Sequence, residues 1–392
     1  MTLAAPSAAA AIEGARSMRI LVLDINYPSD TNLYGDVFVH ARVKGYVERG
    51  HDVHVLAFFT RGASYTFEGI RVTCVSTLDE LREAIAAIAP DVIAIHFFQG
   101  WMLEKLLERD GVPVVVWVHG GEALGWYRRL FDVRVNGEFA RYVASNVLQL
   151  SRMRRLYRYI SAHRERAAIV FVSQWMRRIA SIDTLSAVRP YSVIPNPIDT
   201  DLFRFERKDP ELRGKILLIR SFGSRKYAND LAINAILALR GHPYFRELSF
   251  TIVGSGQLFA SLTAPLREMS NVTLVEGFMT RDAIQELHKR HGVFLCPTRQ
   301  DAQGVSMCEA MASGLVPITS KNTAIPEFVT DGESGYLCAG PDEIAAAMTD
   351  LWESPESFEK MSAAASVSIG AKASSSIVIP AELALMQTLA AQ

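Results

Sequence analysis

The stretch from Leu295 to Ser320 reads LCPTRQDAQGVSMCEAMASGLVPITS, and the interpretation of the whole chain starts from it. The apolar run 293–296 ends at Pro297, as a buried strand does at a residue that cannot donate to the ladder. A polar loop leads to Gly304, which opens a segment rich in Ala, Met and Glu that ends at Gly314. A second apolar run follows. The stretch therefore predicts strand, loop, helix and strand, as in a βαβ unit.

The start of the predicted helix carries residues suited to a nucleotide, because ligands of such units bind beyond the carboxyl ends of the strands. Backbone N–H groups at a helix start favour an anion. A carboxylate one turn further on can accept hydrogen bonds from two vicinal hydroxyls, one on each oxygen. Phosphate beside a diol describes a nucleotide with its ribose. The candidate residues are Asp301, Gly304, Val305, Ser306 and Glu309.

The same stretch resembles the signature of the retaining glycosyltransferases of family four. That signature is Glu, seven residues, Glu, then Ala-Met-Ala, a small residue, Gly and a nearby Pro. Here Glu309 precedes the run 310–314 and Pro317, whereas Asp301 stands at the first acidic position on a side chain one methylene shorter. The resemblance runs from Met18 to about Gly340. It implies an α/β protein of the GT-B fold, with two Rossmann-like parallel-sheet domains facing across a cleft.

Composition is that of an ordinary soluble globular protein, since 49% of the 392 residues are hydrophobic and 21% are charged. The net charge of −1 gives no argument for nucleic acid as a partner. Four isolated cysteines predict reduced thiols in a cytoplasmic protein, and no apolar run is as long as a membrane span. The Ala-rich residues 1–17 are predicted to be a disordered leader.

The N-terminal half alternates strands and helices, starting with an apolar strand at 18–24. The loop behind this strand holds Gly35, which by resemblance approaches the diphosphate of the donor; a simple turn glycine is the alternative. Later strands end in His96 and His119. His119 opens a His-Gly-Gly-Glu turn, and the resemblance places it against the transferred sugar on the acceptor side, with Glu122 as a further candidate. The alternative for both histidines is a structural role.

Residues 126–167 are strongly basic, with ten arginines against three acidic residues and seven interleaved Phe, Trp and Tyr side chains. A solvated helical face is one interpretation. Contact with anionic lipid headgroups, which would make the protein peripheral at the inner face of the membrane, is a second. Contact with nucleic acid is a third, but the predicted fold gives it no support.

The prolines around Asn196 predict a domain boundary near residue 197, because they continue neither a helix nor an inner strand. The family has a similar Pro-Asn-Gly-Val-Asp at its interdomain link. The predicted domains are 18–196 on the acceptor side and 197–370 for the nucleotide-sugar donor. The tail 371–392 is expected to be loose as far as Pro380, with a last helix at 381–389 that crosses back to the first domain.

In the second half, Gly254 opens a helix after a strand, and Phe278 and Met279 follow another strand end. The resemblance places the nucleobase beside Phe278 and Met279, and Gly254 is predicted to be a donor-binding residue. Arg220 ends a strand and Lys226 lies in the loop behind it, so the two cations can converge on one phosphate. The alternative is two solvated cations.

The resemblance gives Arg220 and Lys226 matching partners in the family, where Gly follows the Lys. This chain has Tyr227 there, and the neighbouring Arg225 could take the role of Lys226. If these cations neutralise the leaving diphosphate, the reaction needs no metal, and no metal-binding cluster is evident in the sequence.

The resemblance implies sugar transfer with retention, from a UDP- or GDP-linked donor to a glycan or lipid-linked acceptor, in cell-surface polysaccharide synthesis. The nucleotide sugar is a substrate, so no cofactor is expected. A GT-B isomerase or hydrolase of nucleotide sugars is an alternative. A non-catalytic nucleotide-sugar-binding module is another, suggested by Asp301 and Tyr227.

Overall fold

The structure, a computed structural model, describes residues 16–33, 35–58, 62–103, 111–132 and 137–391. The predicted leader 1–17 lies outside these residues except for its last two. The described residues within 1–128, 135–197 and 375–392 form one unit, and those within 129–134 and 198–374 form the second. Apart from the short segment 129–134, the chain passes from the first unit to the second between Pro197 and Ile198, and it returns to the first between Ser374 and Ser375.

The first unit is built on an eight-stranded sheet in the order β3-β4-β2-β1-β5-β6-β7-β8, in which β3 pairs with β4 antiparallel and the other neighbours are parallel. Its apolar strands are buried from both faces, as parallel strands are. The chain order reverses between β1 and β5. The strands are β1 (Arg19–Asp24), β2 (Asp52–Phe58), β3 (Tyr65–Phe67), β4 (Ile70–Val75), β5 (Val92–His96), β6 (Val114–Val118), β7 (Ala167–Phe171) and β8 (Ser192–Val193).

Helices connect these strands. The starts of the second and fifth helices are capped by residues next to them in the sequence. The side chains of Thr77 and Ser173 accept backbone N–H groups of the first turn there. The helices are α1 (Val37–Val47), α2 (Leu78–Ile88), α3 (Gly100–Met102), α4 (Gly137–Ala162) and α5 (Gln174–Asp183).

The second unit repeats the plan with a six-stranded, fully parallel sheet in the order β11-β10-β9-β12-β13-β14. The order reverses between β9 and β12, and such a reversal opens a crevice beyond the carboxyl ends of the two strands. The strands are β9 (Lys215–Ile219), β10 (Ser249–Gly254), β11 (Val272–Glu276), β12 (Val293–Cys296), β13 (Val316–Ser320) and β14 (Tyr336–Cys338). The helices are α6 (Asn229–Ala238), α7 (Phe259–Thr263), α8 (Arg281–Arg290), α9 (Val305–Ala312), α10 (Pro341–Glu353) and α11 (Pro355–Ala373).

The C-terminal tail differs from its prediction. It is not loose up to Pro380; instead α12 (Ser375–Ala390) runs as one helix with Pro380 inside it. A proline in a helix removes one hydrogen bond. Burial of an apolar set on α12 against the core of the first unit offsets that loss; the set is Val378, Ile379, Leu383, Met386 and Leu389.

Candidate active site

The Arg220 side chain bridges β9 and β12, the two strands between which the strand order of the second sheet reverses. Arg220 follows β9, and its side chain is only 5% exposed. One guanidinium nitrogen, Nη1, donates to Ser306 Oγ at 3.1 Å, and Nη2 donates to the Cys296 carbonyl at 3.4 Å. Nη2 also lies 3.9 Å from Asp301 Oδ2. The structure therefore brings Arg220, Asp301 and Ser306 together, as the strand-end positions suggested.

Gly254 supports the loop that carries Arg220. A Cβ atom at Gly254 would lie 2.0 Å from the Arg220 carbonyl oxygen and 2.7 Å from the Phe222 ring. Only glycine leaves room for this close approach. The packing gives Gly254 a role in shaping the loop; its predicted role in donor binding stays a prediction.

Lys226 lies in a short turn that Ser224 starts, since Ser224 Oγ accepts the Lys226 N–H at 3.0 Å. The Lys226 ammonium is 5.3 Å from the centre of the Tyr227 ring, and the Arg220 guanidinium carbon is 5.4 Å from the same centre. Both cations thus lie against the Tyr227 ring, whose quadrupole attracts them. Tyr227, which replaces the family glycine, is part of this cluster. Arg225 is exposed.

Asp301 caps its own loop through one oxygen. Its Oδ1 accepts the N–H of Gly304 at 2.7 Å and that of Gln303 at 3.2 Å. This capping is the role expected of an aspartate in a turn, while the other oxygen faces Arg220. Gly304 has φ +82°, a left-handed conformation that favours glycine, and α9 begins at the next residue, Val305. The N–H groups of Val305 and Ser306 belong to the first turn of α9, where an anion is favoured.

Glu309 lies one turn into α9, and its side chain is 16% exposed. Burial raises the pKa of this carboxyl to about 7; the Arg281 guanidinium opposes the rise and the Asp199 carboxylate adds to it. Arg281 Nη2 lies 4.0 Å from Glu309 Oε1 and 3.4 Å from Asp199 Oδ2. No sequence motif marks Arg281 as a site residue. Its position at the start of α8, just behind the Phe278-Met279 pair, was the available signal.

We expect the Glu309→Gln protein to lack one component of the pH dependence of stability. The carboxyl has a pKa of about 7 in the folded state instead of its ordinary 4.5. Between these two pH values the folded state still binds a proton that the unfolded state has released. The free energy of unfolding therefore falls as the pH rises through this range. The shift amounts to about 3 kcal/mol. The measurement is urea unfolding of the second unit at pH 5 and at pH 8. From pH 5 to pH 8 the free energy of unfolding of the variant should rise relative to that of the parent by up to about 3 kcal/mol. An equal change with pH in both proteins would contradict it.

Phe278 and Met279 follow β11 at the edge of the second sheet. Phe278 is 65% exposed, and Met279 is half-buried. The preceding Gly277 donates its N–H to the Gly254 carbonyl at 3.1 Å, which ties this loop to the one behind β10. An exposed aromatic ring beside a fixed backbone segment can stack on a planar group.

His119 and His96 form a buried pair in the first unit. His96 Nδ1 and His119 Nε2 are 2.9 Å apart, so one ring donates to the other. Burial lowers the pKa of both rings well below the ordinary value, and Arg42 lowers it further. His119 also packs against the Phe38 and Phe97 rings, with centres 4.8 and 4.9 Å away. The pair is therefore neutral at pH 7 and can exchange hydrogen bonds but not supply a charge.

Glu122 and Gly35 have local contacts that account for them. Glu122 Oε1 accepts the His119 N–H at 2.6 Å, and Oε2 accepts the Gly120 N–H at 3.0 Å, so its carboxylate closes the His-Gly-Gly-Glu turn. A Cβ atom at Gly35 would lie 2.6 Å from the Asn26 carbonyl oxygen. Gly35 therefore packs against its own loop, which fits the turn interpretation.

The basic stretch 126–167 includes α4, one exposed face of which is both apolar and basic. Val147 and Leu148 are 55% and 52% exposed. Arg154 and Arg158 are exposed and share a face with Val147, seven and eleven residues further on. Arg134 lies outside the described residues. Across the part of the chain that the structure describes, no helix combines the length and apolar character needed to cross a bilayer.

Metal ligands do not gather in the described ranges: no group of three or more His, Cys, Asp or Glu side chains there could hold a metal ion.

The two α/β units, each built on a mostly parallel sheet, define the fold of a GT-B glycosyltransferase. In the second sheet, the start of α9 and the buried Arg220 lie where the strand order reverses. The Anabaena protein HepE, solved in complex with UDP-glucose, has a TM-score of 0.67 and 16% identity to this chain, and the match covers 96% of this chain and 100% of that one. At 16% sequence identity, this structural similarity shows that the two proteins share a fold and no more.

The chain belongs to the group-1 glycosyltransferases of the family-four type. Residues 35–202 match the family described as Glycosyltransferase Family 4, and residues 213–354 match Glycosyl transferases group 1.

Two curated relatives are similar over part of their length. The GDP-mannose-dependent alpha-(1-6)-phosphatidylinositol monomannoside mannosyltransferase of Mycolicibacterium smegmatis is 26% identical over 220 residues, which is 50% of this chain and 56% of that protein. The amylovoran biosynthesis glycosyltransferase of Erwinia amylovora is 30% identical over 106 residues, 25% of this chain and 26% of that protein. The matches thus span about half and about a quarter of these relatives.

Proposed function

We propose that the protein is a retaining glycosyltransferase that moves a sugar from a UDP- or GDP-linked donor to a glycan or lipid-linked acceptor in cell-surface polysaccharide synthesis. The observation that carries the proposal is the hydrogen bond from buried Arg220 to Ser306 in the first turn of α9, with Glu309 one turn further on. A cation and free helix-start N–H groups bind the diphosphate, and the carboxyl binds the ribose hydroxyls.

The diphosphate gains negative charge as it leaves, and fixed cations stabilise that charge most in the transition state. Arg220 supplies one positive charge and Lys226 the other, so we propose that the reaction needs no metal. The bond from the anomeric carbon to the phosphate oxygen breaks while the acceptor oxygen bonds to that carbon from the same side. The acceptor proton passes to the departing phosphate. Retention on this path follows from the family resemblance.

The donor and acceptor classes rest on relatives. The similar mycobacterial enzyme uses GDP-mannose and a phosphatidylinositol mannoside, and the similar Anabaena protein binds UDP-glucose. The Erwinia relative serves the biosynthesis of amylovoran. These names support a GDP or UDP donor and a glycan or lipid acceptor. By the family resemblance, the second unit binds the donor and the first the acceptor.

The test is a thermal-shift panel of UDP- and GDP-sugars, followed by transfer assays with and without an acceptor pool. A ligand at a hundred times its Kd stabilises the protein by about 2.7 kcal/mol. Product that forms only with acceptor, and equally in EDTA, supports a metal-independent transferase. Turnover of donor alone would indicate the isomerase or hydrolase, and binding without turnover would indicate the binding module.

By the family resemblance, the acidic residue at this position contacts hydroxyls of the transferred sugar, so we expect Asp301 to act on the sugar through its second oxygen, Oδ2. Asp301→Asn keeps an acceptor for the Gly304 N–H but removes the charge beside Arg220, so transfer should fall at least about tenfold, the worth of one charge-assisted bond, with little change in nucleoside diphosphate affinity. Asp301→Ala also loses the cap, and a lost cap typically costs about 1 kcal/mol of stability. Turnover and affinity of both variants decide it: parental transfer by Asp301→Asn would leave Asp301 with the capping role alone.

We also propose that the protein works in the cytoplasm and contacts the inner face of the membrane through α4. The apolar and basic groups on one exposed face fit an anionic lipid surface. Arg154→Gln with Arg158→Gln should weaken flotation with phosphatidylserine-containing vesicles, whereas Arg240→Gln with Arg246→Gln, on the second unit, should not. Equal binding of the parent to neutral phosphatidylcholine vesicles would argue against the electrostatic contact.

A further inference from the structure

Arg281 is a partly buried arginine that two carboxylates share. It begins α8, and its side chain is 22% exposed. Its guanidinium carbon lies 5.4 Å from the centre of the Phe203 ring, a favourable cation–π distance. Its Nη2 is 3.4 Å from Asp199 Oδ2 and 4.0 Å from Glu309 Oε1. Among the described residues, its buried Nε has no hydrogen-bond partner.

Glu309 depends on this arginine for its charge. The charged groups that act on its carboxyl are Arg281, on α8, and Asp199, in the segment where the chain enters the second unit. They act in opposite directions, since a cation favours the carboxylate and a second carboxylate opposes it. Asp199 also competes for the same guanidinium nitrogen. Burial favours the protonated form of Glu309, and the Arg281 guanidinium works against that preference.

We propose that Arg281 is a positioning residue of the donor site: its guanidinium orients the Glu309 carboxyl toward the ribose hydroxyls and favours its ionised form, and the Asp199 carboxylate opposes that effect. The inference rests on the proposed function, because it takes Glu309 to be the ribose contact. An ionised carboxyl accepts stronger hydrogen bonds from hydroxyls than a neutral one. Ribose recognition should therefore follow the protonation of Glu309, and Arg281 and Asp199 should move that protonation in opposite directions.

The experiment compares UDP with 2′-deoxy-UDP, or GDP with 2′-deoxy-GDP if the parent prefers GDP, by calorimetry between pH 5.5 and 8.5. The ratio of the two affinities isolates the ribose hydroxyl, because both ligands carry the same titrating diphosphate. The proteins are the parent, Arg281→Met, Arg281→Lys, Asp199→Asn and Glu309→Gln, with Arg290→Met as the matched control. Arg290 is exposed at the other end of the same helix.

In the parent the preference for the ribonucleotide should rise with a midpoint near pH 7, the pKa of Glu309. Arg281→Met, which keeps an apolar stem on Phe203, should move the midpoint up and lower the preference at pH 7 about fivefold. Arg281→Lys should recover part of it. Asp199→Asn should move the midpoint down. The amide oxygen of the asparagine can still accept the Leu202 N–H that donates to Asp199 Oδ1. Glu309→Gln should be flat, and Arg290→Met should match the parent.

If Arg281→Met and Asp199→Asn both keep the midpoint of the parent, the inference is overturned while the proposed function stands. A flat ratio in the parent overturns it too, since Glu309 then does not read the ribose. A parent that binds neither diphosphate overturns the proposed function and this inference together. If Arg281→Met fails to fold, Arg281→Lys and Asp199→Asn still report the shift.

Discussion

Replacing Arg220 by methionine is expected to lower kcat about 10²- to 10³-fold, while donor binding changes less. The guanidinium is nearly buried, and Ser306 Oγ and the Cys296 carbonyl hold it in place. A fixed cation stabilises the charge on the leaving diphosphate without reorganising, and a buried site strengthens that interaction. The expected loss corresponds to about 3 to 4 kcal/mol of barrier.

The measurement is kcat and KM for transfer, with the melting temperature as a check on folding. Arg220→Lys should also be impaired, because one ammonium cannot reproduce the two directed contacts. Arg240→Met removes an exposed arginine of the same unit and should act like the parent. Comparing Lys226→Met with Arg225→Met decides which residue supplies the second cation. Parental turnover in Arg220→Met would remove Arg220 from the mechanism.

Replacing Glu382 by glutamine is expected to destabilise the first unit by about 3 to 5 kcal/mol. Glu382 Oε1 accepts Arg42 Nε at 2.8 Å and Trp117 Nε1 at 3.2 Å, and Oε2 accepts the Tyr46 hydroxyl at 2.7 Å. Neither side chain of the Arg42–Glu382 pair is exposed at all. The variant leaves Arg42 charged and buried without its counter-ion, and that desolvation is the source of the loss.

Urea unfolding of the first unit measures the effect. The double replacement Arg42→Met with Glu382→Leu removes both charges, so it should recover much of the stability. Lys44→Met breaks an ion pair with Glu68 on the surface of the same unit, where both side chains are more than a third exposed, and should cost at most about 1 kcal/mol. A Glu382→Gln protein as stable as the Lys44→Met protein would show that the network contributes little.

The sequence by itself determined the strands and the helix that carry the candidate site residues of the second unit, but it did not predict β3, β4 or β14. β9, β12 and α9 follow from apolar runs, a proline and the glycine before the helix, and these signals act within a few residues of chain. Arg220, Ser306 and Asp301 could be expected to meet because parallel strands bring their carboxyl ends to one edge. The capping of Gly304 by Asp301 is equally local, since it acts across three residues of chain.

Only the tertiary structure decided the contacts between residues far apart in the chain. Arg42 and Glu382 are separated by 340 positions, and no local pattern pairs an arginine on one helix with a glutamate on another. Arg281 meets Glu309 and Asp199 because the loop behind β11 and the helix behind β12 converge in three dimensions. Local propensity sets which residues form a helix or strand, whereas the pairing of buried charges depends on how those elements pack, and that is why the sequence could not reveal it.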